Sequence, residues 1–184
     1  MSALVDESRA KKQRVELMLD QKRLAKRIVE MGQEISADYA DRTPLFLGVL
    51  KGCFVFMADL IRAVDLPTEV DFISAASYRN GPKADAELTV GLTPSRPIKG
   101  RDVLIVEGIV DSGRTISKLI EQFKGMEPAS VAVVTLLDKP AARRVPVEIK
   151  YKGFTVGNEF VIGFGLDNAQ KYRNLPFIGR LVDE

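Results

Sequence analysis

The sequence predicts an α/β fold, a Rossmann-like parallel sheet core flanked by helices, on three observations. Short apolar runs recur along the chain, at 45–50, 70–76, 103–106, 130–136 and 160–164. Stretches with apolar residues at helical spacing lie between several of them. The run Val103 to Val106 also passes through a small polar turn, Asp111-Ser112-Gly113-Arg114-Thr115, into a helical pattern at Ile116, Leu119, Ile120 and Phe123. Strands that are apolar throughout, alternating with helices, suit a parallel sheet covered on both faces.

Each element follows from its residues. Residues 1–14 are polar and are expected to be loosely ordered. Asp20 is placed to cap a helix carrying Leu24, Ile28, Met31, Ile35 and Tyr39 on one face. Leu45 to Leu50 reads as a buried strand closed by Lys51-Gly52, and Phe54 to Val64 as the next helix. Val70 to Ala76 reads as another strand. Residues 79–87, with Asn-Gly-Pro and mixed charge, read as a long polar loop or hairpin of the kind that serves as a lid. Pro94, Pro97 and Gly100 punctuate the approach to the central strand. Ser130 to Leu136 is a fourth buried run and Phe160 to Phe164 a fifth. Nothing resembling a linker divides the chain, so residues 1–184 read as a single domain.

Composition narrows the chemistry. The chain has 184 residues, 46% hydrophobic and 28% charged, ordinary for a globular protein able to bury a core. A net charge of +2 gives no footprint for nucleic acid or a membrane surface. There is no long apolar run and no signal-peptide pattern. Cys53 is the only cysteine, so an internal disulfide is impossible. These features predict a cytoplasmic location. Histidine is absent, which removes imidazole catalysis and His-metal sites. Proton transfer falls to carboxylates, Lys, Tyr or the substrate.

The turn at 111–115 is the most informative segment. At the carboxyl end of a strand and the start of a helix, it offers backbone N–H groups, the hydroxyls of Ser112 and Thr115, and the Arg114 guanidinium to an anion. Glu107 and Asp111 add carboxylates beside it. That combination suits a phosphorylated sugar whose hydroxyls and metal are held as well. The competing reading is an ordinary turn with a helix cap, since capping favours the same residues. It leaves the two acids four residues apart unexplained. Neither a Walker loop nor a dinucleotide fingerprint occurs in this turn.

The run Val103-Leu-Ile-Val-Glu-Gly-Ile-Val-Asp-Ser-Gly-Arg-Thr115 resembles the phosphoribosyl-diphosphate motif of type I phosphoribosyltransferases. Leu47-Gly-Val-Leu-Lys-Gly-Cys-Phe54 and its following helix resemble the first active-site loop of the hypoxanthine-guanine branch. Ser77-Tyr78-Arg79-Asn80-Gly81 resembles its second loop. Leu137-Asp138-Lys139-Pro140, Glu159 to Asp167, and Lys171-Tyr-Arg-Asn-Leu-Pro176 resemble its base-binding end. The likeness spans about residues 15 to 181.

The resemblance implies the type I phosphoribosyltransferase fold, with a small hood from the N- and C-terminal segments. It implies purine salvage: Mg²⁺-dependent transfer of phosphoribose from 5-phosphoribosyl 1-diphosphate to hypoxanthine, and to guanine, giving IMP or GMP and diphosphate. Small molecules are the expected partners, in a homodimer or homotetramer, with no nucleic acid and no membrane. Asp111 is the implied general base. Glu107, Asp111, Ser112, Gly113, Arg114 and Thr115 are expected to hold phosphate and ribose. Lys51, Gly52 and Arg173 are expected at the diphosphate, with a cis peptide before Lys51. Lys139, Phe160, Val161 and Asp167 are expected at the base, Ser77 and Tyr78 in the lid, and Glu107 and Asp167 on the metal. A core role for Phe160 is an open alternative. The pattern departs at Gly108, where the family carries a second acid, and at Asn168, where it carries an aromatic residue. Gly108 keeps an alternative in view, a nucleotide-binding regulator or weakly active pseudoenzyme on the same fold. If the acid is merely lost, weaker ribose binding is expected.

Overall fold

The computed structural model describes residues 13–78, 87–90 and 94–183. In chain order the elements are β1 (Gln13–Leu19), α1 (Gln21–Asp38), β2 (Leu45–Leu50), α2 (Phe54–Ala63), β3 (Glu69–Tyr78), β4 (Glu87–Val90), β5 (Asp102–Val110), α3 (Arg114–Lys124), β6 (Ser130–Asp138), β7 (Tyr151–Thr155), β8 (Val161–Ile162) and β9 (Ile178–Asp183). A 3-10 turn, Pro140–Ala142, follows β6. The main sheet has the order β4-β3-β2-β5-β6-β7, parallel except for β4. A smaller antiparallel sheet, β1-β9-β8, joins the two ends of the chain and forms the hood.

Alternation along β5 explains why this strand is apolar on both faces. Leu104 and Val106 point into a core with α1 and α2, where Leu24, Ile28, Met31, Phe56 and Leu60 are buried. Val103 and Ile105 point the other way, onto Ile116, Leu119 and Phe123 of α3. Helices therefore cover both faces, as parallel strands require. Asp20 caps α1 as expected, its Oδ1 accepting the N–H of Arg23 at 2.9 Å.

The chain leaves β2 for β3 on one side, then returns to place β5 on the other. This makes the β2–β5 junction a topological switch point, where a crevice opens at the carboxyl ends of the strands. Lys51-Gly52 and the 111–115 turn both lie there.

Two sequence expectations change. Phe160 to Phe164 does not join the main sheet. Only Val161–Ile162 is strand, and it pairs with β9 in the hood, because Gly163 and Phe164 turn to positive φ (93° and 49°). The fifth parallel strand is instead β7, a short edge element. Residues 13 and 14, expected to be loosely ordered, begin β1 and pair with Asp183 and Val182. Residues 79–86 of the expected lid lie outside the described residues. The strands flanking them pair antiparallel, with Tyr78 opposite Glu87.

Candidate functional site

The turn between β5 and α3 is held by its carbonyls. The Val110 oxygen accepts the N–H of Lys139 at 2.9 Å, and the Ser112 oxygen accepts those of Arg144 and Val145 at 2.9 and 3.0 Å. The Asp111 oxygen accepts Arg143 Nε at 2.9 Å. These acceptors all face the segment 139–145. The first N–H groups of α3 have no helical acceptor, as at any helix start, and are left for an anion. Gly113 is the N-cap with φ of 81°, and a Cβ there would lie 2.4 Å from the Val145 oxygen. Only glycine meets both demands. Asp111 is not the cap. Its exposed carboxylate accepts the N–H of Ser112, which sets its direction. A small recess at this turn is lined by Glu107, Asp111, Gly113 and Thr115, whereas Ser112 and Arg114 line a separate hollow with Asp111 and Arg144.

Glu107 lies deeper, its Oε1 accepting the Gly108 N–H at 2.9 Å. Burial pushes its pKa up to about 8. The Gly108 N–H opposes that shift, and the Asp111 carboxylate adds to it. Cys53, at the start of α2, is buried, and burial with the Glu107 carboxylate pushes its thiol up to about 12. It is an inert packing residue.

A cavity of about 210 Å³ opens beside this turn, lined by Ile109, Asp111, Lys139, Phe160, Val161, Leu166 and Asp167. Its size and its apolar walls with a few convergent polar groups suit a planar ring. Lys139 Nζ donates to the Glu159 oxygen at 2.8 Å, which fixes the ammonium at the cavity wall. Phe160 is 58% exposed. The core reading of Phe160 is thus excluded and its ring is available for stacking. Val161 is buried and supplies backbone at the rim.

The third part of the site lies in the chain after β8. Asp167 Oδ1 is 2.7 Å from an Arg173 nitrogen, and its Oδ2 accepts the Gln170 N–H at 2.8 Å. Arg173 also donates to the Gly165 oxygen at 2.7 Å. Lys51 Nζ reaches Gln170 Oε1 at 3.4 Å, so Lys51 and Arg173 meet at the Gln170 side-chain oxygen while Asp167 holds its backbone N–H. The peptide bond before Lys51 is cis, as the resemblance implied. Ser77 and Tyr78 end β3, opposite Leu88 and Glu87.

Sequence reasoning missed two residues. Arg143 bridges the Val110 and Asp111 oxygens and the buried carboxylate of Asp138, clamping the turn to the cavity wall. Gln170 sits between Lys51 and Arg173. A pair of arginines after Lys139-Pro140 was the only signal for the first, and nothing pointed to the second.

Comparison with known proteins agrees with this geometry. Residues 15–169 match the phosphoribosyl transferase domain family. The hypoxanthine phosphoribosyltransferase of Salmonella typhimurium is 44% identical over 173 residues, 93% of this chain and 97% of that protein. The bifunctional protein TilS/HprT of Listeria innocua is 47% identical over 91% of this chain, which spans only 26% of that protein's length. The crystal structure of a hypoxanthine-guanine phosphoribosyltransferase from Bacillus anthracis superposes with a TM-score of 0.86 at 36% identity, covering 93% of this chain and all of that one.

Proposed function

The chain belongs to the phosphoribosyltransferase family, and on that premise we propose that it transfers phosphoribose from 5-phosphoribosyl 1-diphosphate to hypoxanthine and guanine. One observation carries the reading. Asp111, Lys139 and Asp167, distant in sequence, line one cavity at the mouth of a helix-start anion seat.

The N–H groups and hydroxyls of the 111–115 turn hold the 5-phosphate. Glu107 meets the ribose hydroxyls. Asp111 takes the proton from the imidazole nitrogen of the purine as the glycosidic bond forms, and its charge favours the oxocarbenium-like transition state. Lys139 donates to the 6-oxygen of the base. Adenine presents an amino donor there and leaves the ammonium N–H aimed at it without an acceptor, so it is rejected. Phe160 stacks on the ring, and the backbone of Val161 reads its edge. Lys51, the Gly52 amide and Arg173 receive the diphosphate, displacing Gln170. Ser77 and Tyr78 close over the site and exclude water.

Among the described residues no group of three His, Cys, Asp or Glu side chains could cage a metal. Magnesium commonly binds through one or two carboxylates plus substrate phosphates. Glu107 and Asp167 fit that mode, with Mg²⁺ neutralising diphosphate charge when bound. We also propose a homodimer or homotetramer and a cytoplasmic location. Among the described residues no helix is long and apolar enough to cross a membrane.

Incubation with 5-phosphoribosyl 1-diphosphate, Mg²⁺ and each purine in turn tests the assignment. Hypoxanthine and guanine should yield their nucleoside monophosphates and adenine none. Lys139→Met should lower kcat/KM for hypoxanthine roughly ten- to a hundred-fold, the worth of a charged hydrogen bond. No nucleotide from either oxopurine would end the proposal.

A further inference from the structure

Gly108 stands where relatives of the motif carry a second acid, and the packing supplies a physical reason. A Cβ on Gly108 would lie 2.7 Å from the Gly52 carbonyl oxygen, 3.0 Å from its carbonyl carbon and 3.1 Å from Leu166 Cδ2. The first is a backbone overlap that no rotamer relieves. The same Gly52 oxygen would meet a Cβ on Gly165 at 2.6 Å. The Gly52 peptide is therefore wedged between two positions without side chains, one on β5 and one after β8. A Cβ on Gly52 itself would make ordinary contacts, 3.4 Å to Leu166 and 3.8 Å to Glu107. The tight requirement falls on the residue beneath the loop more than on the loop glycine.

We propose that Gly108 is a positioning residue for the diphosphate loop. Its missing side chain lets Lys51-Gly52 settle against the carboxyl end of β5, so that loop backbone fills the space of the second acid. The ribose subsite is then complete as built, not short of a carboxylate. This inference rests on the transferase reading above and deepens it. A side chain at 108 has two ways to be relieved. β5 pairs with β2 as far as Val106 and with β6 on both sides of Gly108, as far as Val110, and Gly108 itself is buried. The loop is tied by few hydrogen bonds, Phe54 N–H to the Lys51 oxygen at 3.3 Å and Met57 N–H to the Cys53 oxygen at 2.7 Å. The loop is the part that moves.

Steady-state kinetics and thermal melting of the wild type, Gly108→Ala and Gly108→Asp test this. Both variants should raise KM for 5-phosphoribosyl 1-diphosphate by roughly ten- to a hundred-fold, the scale of an ångström-sized misplacement. KM for hypoxanthine and the melting temperature should stay near wild type. A lower KM for the diphosphate substrate in Gly108→Asp would reveal a vacant acid subsite and overturn the proposal. So would an unchanged KM in Gly108→Ala, or a variant that fails to fold, which would place the clash on the sheet. A wild type without transferase activity would instead defeat the functional reading. Amide hydrogen exchange over residues 51–57 would then decide the loop claim, with faster exchange in Gly108→Ala supporting it and equal exchange refuting it.

Discussion

The two ends of the site are built on different principles. The phosphate seat after β5 is made of backbone. One glycine takes positive φ, the carbonyls turn toward the 139–145 segment, and the helix-start amides are left for the ligand. The diphosphate end after β8 is made of side chains that pair with one another, Asp167 with Arg173 and Gln170 with Lys51. Four non-glycine residues there, Phe164, Ala169, Gln170 and Tyr172, hold positive φ. Such conformations cost about 1–3 kcal/mol each and persist only where the surroundings impose them. On the proposed function, the comparison teaches that the phosphate the ligand keeps would meet a preformed, unstrained seat. The group that leaves would meet a strained, self-satisfied one, whose contacts would be exchanged on binding.

The sharpest way to break this contrast is Asp111→Asn. Its carboxylate accepts the Ser112 N–H, and an amide oxygen can do the same. The turn should survive while kcat falls by about 10²- to 10⁴-fold, the worth of a general base. A loss under tenfold would remove Asp111 from the chemistry. Arg173→Met probes the other end. It strips Asp167 and the Gly165 oxygen of a partner, and should raise KM for 5-phosphoribosyl 1-diphosphate roughly ten- to a hundred-fold. KM for the base should hold. An equal rise in both would mean that Arg173 supports the whole hood, not the leaving group.

Arg143→Met tests whether the backbone seat depends on its clamp. Arg143 is 18% exposed and binds two carbonyls and Asp138. Its loss should lower stability by about 1–3 kcal/mol in denaturant titration. Activity should drop with it. Full stability would mean that the main-chain bonds alone hold the turn. A further test concerns Glu107. A carboxyl raised to about 8 in the folded ligand-free protein, against about 4.5 unfolded, keeps its proton longer when folded. Its contribution to stability is complete below the unfolded value and declines as pH rises toward about 8. Glu107→Gln should flatten that part of the stability profile measured without metal. An unchanged slope would place the charge elsewhere.

Much of the fold was legible because β2, β5 and β6 are apolar on both faces, and that pattern is local. β7 was not. Tyr151-Lys-Gly-Phe-Thr155 is an edge strand with a polar side, and only Tyr151 in it is fully buried. β1 escaped because its partner, β9, lies at the other end of the chain, and pairing over that separation leaves no local trace. The reverse error, Phe160 to Phe164, came from an apolar run that serves a cavity wall and a turn. At the site, the turn from β5 into α3 could be read because a strand, a small polar turn and a helix follow one another in sequence. Arg143 and Gln170 could not, because their roles depend on which carbonyls and cations the tertiary fold brings within reach. Gly108 looked like a lost acid. Only the position of the Gly52 carbonyl shows that a side chain has no room there.

A crystal structure of the protein with inosine monophosphate tests the central claim most directly. The phosphate should sit on the amides of the 111–115 turn, with the 6-oxygen of the ring at Lys139 and Phe160 against its face. A phosphate bound anywhere else, or a base outside the cavity between Asp111 and Asp167, would contradict it.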